Sequence, residues 1–206
     1  IRGFGNWIMG CMDEAACNYN IFANMADGSC TYTEQGYDCY GNITEYFIGM
    51  EAKGGIVFYI DDTGQHGLVA AMEDLGSYPW GCYGTNISGA EGQSIGTGYQ
   101  NTLNIVYECT DTPIAASEAL AYESGGYSDW YLPSEDELTL MKSTLANQGT
   151  QADENGFIDA YYWSSTERYS SEWNHAQCIG FNYWYSGGNN NYFKSNSYRV
   201  RPIRSF

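Results

Sequence analysis

The C-terminal stretch, residues 161–206, carries the side chains best suited to binding another molecule. Tyr, Trp, Asn, Ser and Gly dominate it, whereas Lys and Glu are scarce. Aromatic rings supply rigid contact area and small polar side chains supply adaptable hydrogen bonds, so this composition is typical of a recognition surface. We expect these side chains to face outward from a stiff scaffold. The candidate ligand-binding residues are Tyr169, Trp173, Asn174, His175, Asn182, Tyr183, Trp184, Tyr185, Asn189, Asn190, Asn191, Tyr192 and Asn196.

Catalytic chemistry has much weaker support in the sequence. An enzymatic nucleophile needs a base held beside it. The two histidines, His66 and His175, lie in a predicted hairpin turn and among the recognition residues, and neither belongs to a nucleophile motif. Neighbouring carboxylates at 61–62 and 135–136 are typical of a turn and of a helix start. We therefore expect that the chain is not an enzyme.

The N-terminal segment offers ligands for a calcium ion. Calcium prefers oxygen ligands, and a Gly-containing loop supplies four such side chains. These are Asp13, Asn18, Asn20 and Asp27. The alternative is that Asp and Asn here only set tight turns. A structural Ca²⁺ is the one cofactor that the sequence suggests.

Cysteine spacing indicates disulfide bonds in the same segment. Four of the seven cysteines crowd into residues 1–40, which have too few apolar residues to hold themselves together. A zinc site is the weaker alternative, because there is no Cys-x-x-Cys motif and neither histidine lies nearby. The pairs are expected among Cys11, Cys17, Cys30 and Cys39.

The remaining cysteines predict one further bond. Cys82 and Cys109 bracket a loop-rich region, and a disulfide between them would remove much unfolded-state entropy. Cys178 is then left over. Disulfides imply an extracellular location, whether secreted, on a cell surface or on a virion. The chain begins at Ile1 with no visible signal peptide, so we expect a mature or cropped fragment.

The charge of the chain limits the kinds of molecule that it is expected to bind. With a formal net charge of -17 and no basic stripe, nucleic acid and anionic membrane surfaces are unlikely partners. No apolar run of about 18 residues exists, so membrane insertion is not expected. The expected partner is a cell-surface protein or glycan. Further copies of the chain, in a homo-oligomer or a larger surface or virion assembly, are the alternative.

Composition changes near residue 45 and predicts two domains, a Cys-rich module at 1–45 and an α+β domain at 46–206. Apolar runs at 56–60 and 67–72 flank a turn and predict a β-hairpin. Residues 76–110 are rich in Gly, Ser and Asn and predict long loops.

Two helices are predicted next. Pro113 opens a short Ala-rich helix at 114–123. The second begins with a capping box, in which Ser134 is the N-cap and Glu137 the third helical residue, and it stops near Gly149. Its core stripe consists of Leu138, Met141 and Leu145.

Strand patterns return at 161–165, 179–185 and 198–206, where Pro202 indicates an edge position or an early end. The expected core residues of this half are Trp130, Trp163, Phe181, Val200 and Ile203. We expect the three arginines near the C-terminus to pair with carboxylates. They are Arg199, Arg201 and Arg204.

Residues 10–32, from GCMDEAACNYN through ADGSCTY, resemble a short repeat of secreted bacterial and phage surface proteins. That repeat usually lies in stalks or between domains. Its usual form has Pro where Glu14 and Ile21 stand, which implies slightly different turns here.

Most of residues 46–206 carries a series of ordered motifs, namely GGIVFY (54–59), WGC (80–82), IGTG (95–98), QNT (100–102), DWYLPS (129–134), EL (137–138), YWSSTE (162–167) and VRPIR (200–204). With these motifs the segment resembles a bacterial family of the DUF1566, or fibrobacter-succinogenes major paralogous, type that is related to the Lcl C-terminal domain. The resemblance implies a C-type-lectin-like fold with two helices, antiparallel strands and long loops. The variable proteins of diversity-generating retroelements are similar to it.

These observations lead to three hypotheses. The first is an extracellular, non-catalytic recognition module of an adhesin or phage receptor-binding type, which binds through its C-terminal surface. The second is a structural subunit that assembles with copies of itself. The third is an enzyme of the formylglycine-generating type, which the resemblance also implies. Such enzymes use two nearby late cysteines, whereas Cys178 alone stands in the last 90 residues.

Overall fold

The computed structural model describes residues 6–146, 156–168, 173–181 and 190–206. The chain divides into two compact units, Ile1–Phe47 and Ile48–Phe206. Within the described ranges, no helix has the length and apolar character needed to cross a bilayer. The helices are α1 (Gly98–Glu108), α2 (Ala115–Ala121) and α3 (Glu135–Leu145). The strands are β1 (Met9–Gly10), β2 (Met25–Ala26), β3 (Glu51–Ala52), β4 (Gly55–Ile60), β5 (Gly67–Ala70), β6 (Ser77–Pro79), β7 (Tyr161–Arg168), β8 (His175–Gly180), β9 (Asn190–Phe193), β10 (Ser197–Arg199) and β11 (Ile203–Ser205).

The first unit consists mainly of turns. Strands β1 and β2 form a small parallel pair, and the disulfides Cys11–Cys30 and Cys17–Cys39 link the turns. Among its described hydrophobic residues only Cys11 and Ala16 are buried. The prediction of disulfides among these four cysteines is confirmed, and covalent bonds take the place of a core.

The second unit contains two sheets. One has the order β11-β5-β4-β3 and is antiparallel throughout. The other has the order β6-β10-β7-β8-β9, in which only β10 and β7 run parallel. The predicted hairpin is the pair β4–β5, so this prediction is confirmed. The unit is a mixed α+β structure.

The predicted closing strand at 198–206 is wrong in one respect, because it is two strands in different sheets. Strand β10 lies inside the five-stranded sheet and β11 at the edge of the other. Residues 200–202 carry the chain from one sheet to the other. Proline cannot donate to a strand ladder, so Pro202 falls at this crossing.

Two hydrophobic clusters form the core of the second unit. One packs α1 and α2 on the five-stranded sheet and includes Trp80, Ile105, Leu132, Trp163 and Val200. The other packs α3 between the sheets and includes Phe58, Leu138, Met141, Leu145, Phe181 and Ile203. Trp130 is also fully buried. The core residues predicted from the sequence, including the stripe of α3, are confirmed.

Helix α1 and strand β6 lie where the sequence predicted only long loops, so the described chain has three helices instead of two. The buried face of α1 is formed partly by polar residues. Asn101 donates to the Gly92 carbonyl at 2.7 Å, and Thr102 donates to the Gly98 carbonyl at 2.7 Å. Because these inward residues are Asn and Thr, the apolar period that marks a helix is hidden.

The other two helices agree with their predictions. Ser134 accepts a hydrogen bond from the Glu137 amide, and the Glu137 carboxylate accepts one from the Ser134 amide at 2.7 Å. Helix α3 ends at Leu145, and Gly149 lies outside the described residues. Strand β8 begins at His175, four residues before the predicted start at 179.

Candidate recognition surface

Three rings, from the loop after β6, the start of β8 and the end of β9, form an exposed aromatic surface. Phe193 is 46 % exposed and Tyr83 is 53 % exposed. His175 stacks on Phe193 with centroids 4.7 Å apart, and Tyr83 lies 6.0 Å from the same ring. We refer to Tyr83, His175 and Phe193 as the ring cluster.

Two sheet strands and one disulfide position the ring cluster. His175 and Phe193 are direct partners in the β8–β9 ladder, where cross-strand side chains meet on one face. Tyr83 follows Cys82, which is bonded to Cys109 and donates its amide to the Asp111 carboxylate at 2.7 Å. The predicted Cys82–Cys109 bond is therefore confirmed, and it fixes the third ring.

A buried ion pair supports the strand end beneath the rings. Lys194 and Glu167 are both fully buried and contact each other directly. Lys194 also donates to the Thr85 carbonyl at 2.8 Å and lies 4.5 Å over the ring of Trp80. Glu167 accepts a hydrogen bond from the Ile87 amide at 3.0 Å. This pair therefore joins the loop that carries Tyr83 to strands β7 and β9.

Burial shifts the pKa values of both members of this pair in the direction that favours the neutral form of each group. Desolvation raises the pKa of Glu167 and lowers the pKa of Lys194, while their mutual hydrogen bond opposes both shifts. Removing either partner would leave the other buried without its counter-charge. The pair therefore makes this region sensitive to single substitutions.

Asn174 does not lie on the outer surface as expected. It is 3 % exposed, donates to the Tyr83 hydroxyl at 3.3 Å, and its carbonyl accepts the Lys194 amide at 2.9 Å. A buried amide side chain needs hydrogen-bond partners, which explains this inward position. In this conformation Asn174 orients the Tyr83 ring, and a binding role for its own side chain stays a prediction.

Tyr192 also packs inward. It is half-buried against the core, 5.0 Å from the ring of Tyr161 and 5.4 Å from that of Tyr198, and its hydroxyl is 3.1 Å from the Tyr161 hydroxyl. Asn196 donates to the Tyr198 hydroxyl at 3.1 Å. Trp173 is half-buried and has a positive φ of 52°.

Several candidate residues fall outside what the structure describes. Only the backbone of Asn190 and Asn191 is described, as part of β9. The binding roles of all these residues stay predictions. Those outside the described ranges are Tyr169, Asn182, Tyr183, Trp184, Tyr185 and Asn189.

The sequence did not indicate the two most exposed rings of the cluster. Phe193 is not one of the Tyr or Asn residues whose abundance indicated a recognition surface in residues 161–206. Tyr83 lies 91 residues from its partner Asn174, in a region predicted to be loops. The one available signal was the predicted disulfide, which fixes the residue next to Tyr83.

The four candidate calcium ligands all take part in turns of the first unit. Asp13 accepts the Ala15 amide at 3.0 Å and the Tyr32 hydroxyl at 2.6 Å. Asp27 accepts the Ser29 amide at 2.9 Å. These hydrogen bonds lower the pKa values of Asp13 and Asp27. Such bonds agree with the alternative that the side chains set turns.

The two amide side chains have similar partners. Asn18 bridges the Ser29 carbonyl, at 2.6 Å, and the Thr31 amide, at 2.9 Å. Asn20 accepts the Phe22 amide at 3.0 Å. Calcium binding by these residues stays a prediction.

Two of the three C-terminal arginines pair as predicted. Arg201 is buried and donates to Asp74 at 2.6 Å. Arg204 donates to both oxygens of Asp129, at 2.6 and 2.9 Å. Their role is to hold the two sheets and the preceding loops together.

Part of this architecture matches a known protein family. A family model described as the Lcl C-terminal domain matches residues 84–204. The chain belongs to this family. The Lcl C-terminal domain contains all three described helices and two members of the ring cluster, His175 and Phe193. The first unit lies outside the match, so its resemblance to a surface-protein repeat stays a prediction.

Among solved structures, the chain is similar to a fimbrial protein from Bacteroides ovatus. The two are 17 % identical, with a TM-score of 0.44, and the similarity covers 90 % of this chain and 50 % of that one. The chain thus spans about half the length of that protein. No curated protein matches the chain.

Proposed function

We propose that this protein is an extracellular, non-catalytic recognition module of an adhesin or phage receptor-binding type. Its second unit has a C-type-lectin-like arrangement and binds a cell-surface protein or glycan through the ring cluster and the neighbouring C-terminal side chains. The observation that carries this proposal is the exposure of Tyr83 and Phe193 above a buried, cross-linked base.

The geometry supports binding for an energetic reason. Aromatic rings bury large areas on association and lose few rotamers. The disulfide Cys82–Cys109 and the Lys194–Glu167 pair already hold the backbone around the rings. A preorganised surface loses less conformational entropy on binding, so more of the contact energy appears as affinity.

The histidines support a non-catalytic role. His175 stacks on Phe193, and the His66 backbone closes the β4–β5 turn by accepting the Asp61 amide at 2.9 Å. Within the described part of the chain, neither imidazole is hydrogen-bonded to a Ser, Thr or Cys side chain. A histidine base activates a hydroxyl or thiol nucleophile through such a contact. Six of the seven cysteines form the three disulfides, and the seventh, Cys178, is fully buried, so its thiol is not accessible to a substrate.

A binding screen tests the proposal. The chain is applied to an array of glycans and to whole bacterial cells, and the same ligand is then titrated against Tyr83→Ala and Phe193→Ala. Each substitution removes an exposed ring, and we expect a loss of affinity of about 10-fold or more. Tyr40→Ala is the matched control, because Tyr40 is a 92 % exposed ring on the first unit.

The outcomes are distinct. Binding that falls in both ring-cluster variants but not in the control supports the proposal. Unchanged binding in both variants, with their circular dichroism spectra intact, would remove the ring cluster from the function.

A structural, self-assembling role is the second candidate. The observation in its favour is the exposure of large apolar side chains in the first unit, with Trp7, Ile21 and Phe22 each more than 70 % exposed. Large contiguous patches of exposed apolar side chains mark protein contacts. Sedimentation velocity over a range of concentrations distinguishes the two roles. Ordered oligomers that dissociate on Phe22→Ser would favour assembly, and a monomer that binds cells would favour recognition.

A further inference from the structure

The second unit contains a groove of about 510 Å³ that shares no residue with the ring cluster. Its walls come from the β4–β5 hairpin, the loop before α1, the segment before α3 and the end of β11. Half of the residues that line it are tyrosine, phenylalanine or aspartate. We call it the tyrosine groove and define it by Tyr59, Asp61, Tyr99, Tyr131 and Phe206.

The aromatic walls of the tyrosine groove are held in place. Tyr131 is buried, its hydroxyl lies 3.5 Å from the Glu137 carboxylate, and Tyr99 packs edge-on against its ring at 5.6 Å. A side chain at Gly67 would overlap the Phe206 ring and the backbone of β4. Glycine at this position is therefore what allows Phe206 to line the groove.

The acidic groups of the groove differ in their state of pairing. Both oxygens of Asp129 are bonded to Arg204, so this carboxylate is already neutralised. Asp61 receives three hydrogen bonds from Thr63 and His66, and all three end on Oδ1. Among the described residues, none donates a hydrogen bond to Asp61 Oδ2. The groove thus has one carboxylate oxygen available for a cation.

Tyrosine rings around an available carboxylate are suited to an organic cation. An ammonium or guanidinium group is attracted to the faces of aromatic rings, and Asp61 adds a direct counter-charge. The net charge of -17 further favours cationic over anionic ligands. A neutral sugar could stack on the same rings, but it would not use the charge of Asp61.

We propose that the tyrosine groove binds a lysine or arginine side chain of a protein partner. The inserted chain lays its methylene groups against Tyr99 and Phe206 and places its charge near Asp61. This would be a second contact site, independent of the ring cluster, on the same unit.

NMR titration of the full chain tests this site. The probes are a Gly-Lys-Gly-Lys-Gly peptide, the same peptide with Gln in place of Lys, spermidine and methyl galactoside. The expected result is that the Lys peptide shifts the amide signals of Gly67 and Gly96 and binds at least about 5-fold tighter than the Gln peptide. Its affinity falls as salt is raised, because screening weakens exposed ion pairs.

Two carboxylate variants distinguish binding in the tyrosine groove from nonspecific attraction of the cationic peptide to the acidic chain. Asp61→Asn keeps an oxygen for the turn but removes the charge, and we expect a loss of about 5-fold in affinity for the Lys peptide. Asp62→Asn removes the same charge from the exposed neighbouring residue, which does not line the groove. The affinity of this control variant for the Lys peptide should remain within about 2-fold of that of the unsubstituted chain.

A third variant tests the aromatic contribution. Tyr99→Ala removes an exposed ring and is expected to weaken the Lys peptide about 5-fold. Equal affinities for the Lys and Gln peptides, or equal losses in the two carboxylate variants, would overturn the proposal. Binding of methyl galactoside alone would also overturn it. Binding of spermidine without binding of the Lys peptide would overturn the protein partner and indicate a free polyamine as the ligand.

Discussion

The two units of this chain are stabilised in opposite ways. The first unit buries little of its hydrophobic surface and depends on two disulfides and on turns set by Asp and Asn side chains. The second unit has two hydrophobic clusters and buried charge pairs that connect distant segments. Small segments without a core need covalent links, whereas larger ones can rely on packing.

The range of their contacts differs as well. In the first unit the Asp13 side chain bonds to the Ala15 amide two residues away and to the Tyr32 hydroxyl 19 residues away. In the second unit Lys194 reaches a carbonyl 109 residues away, and Arg201 one 130 residues away. Only the second kind of contact can hold remote loops as a fixed surface, which is why the binding sites proposed here lie on the second unit.

Disulfide removal should produce the largest difference between the units. Replacing both Cys17 and Cys39 by Ser should destabilise the first unit by about 2–5 kcal/mol, enough to unfold it at 37 °C, because its unfolded state gains entropy. Amide hydrogen exchange measures both units at once. Protection should disappear across residues 8–45 and persist in β4 and β5.

The double substitution of Cys82 and Cys109 by Ser is the matched control. This change removes one disulfide from the packed second unit, and α3 should keep its amide protection. Persistence of protection in residues 8–45 after loss of Cys17–Cys39 would contradict the comparison.

Loss of the buried ion pair should have the next largest effect. Lys194→Met leaves Glu167 buried without its counter-charge and should destabilise the second unit by about 3–5 kcal/mol, measured by urea unfolding. Adding Glu167→Gln to this variant should restore part of the loss, because no unpaired charge remains. Lys142→Met, on a half-buried position of α3, is the control and should change stability little.

Removal of a helix cap should have a smaller effect on the second unit. Ser134→Ala deletes the N-cap of α3 and should cost about 1 kcal/mol in the same urea experiment. Ser143→Ala, an exposed residue within the same helix, should be close to neutral. Equal effects of the two substitutions would mean that the cap does not stabilise α3.

Acid titration should distinguish one carboxyl group of each unit, Asp13 and Glu137, by the direction of its pKa shift. Hydrogen bonds from Tyr32 and Ala15 hold the pKa of Asp13 below its usual 3.8, whereas burial raises the pKa of Glu137 above its usual 4.5. Asp13 therefore contributes stability above pH 3.8 that is lost as the pH falls through its folded-state pKa. Glu137 has the opposite sign, since its contribution is greatest below pH 4.5 and declines as the pH rises through its folded-state pKa.

Carboxyl ¹³C NMR from pH 2 to 7 measures both groups in one sample. Asp13 should titrate at a lower pH than a typical Asp, and Glu137 at a higher pH than a typical Glu. Tyr32→Phe should move the Asp13 midpoint upward and leave Glu137 unchanged. A Glu137 midpoint at or below 4.5 would show that its hydrogen bonds outweigh its burial.

Local signals in the sequence were sufficient for much of the second unit. The capping box at Ser134, the stripe of α3 and the β4–β5 hairpin are encoded within a few residues, and each was predicted. Helix α1 was missed because Asn101 and Thr102 replace apolar residues on its inner face. The division of the last strand was missed because nothing local shows that its two halves join different sheets.

The candidate site was less accessible to sequence reasoning. Composition identified the C-terminal stretch but could not tell which rings face outward, since neighbours on a strand point to opposite sides. Tyr192 and Phe193 illustrate this, because the first packs on the core and the second is exposed. Tyr83 is brought to Phe193 by the Cys82–Cys109 disulfide, by the contact of its loop with Lys194 and by the hydrogen bond from Asn174.

Burial of Cys178 has a consequence for how the chain matures. Thiol–disulfide exchange requires a thiolate that can reach a sulfur–sulfur bond. Cys178 is fully buried in β8, and desolvation raises the pKa of its thiol. Once the second unit has folded, the Cys178 sulfur can no longer take part in disulfide exchange. The three disulfides can therefore persist in an oxidising medium although the chain has a seventh cysteine.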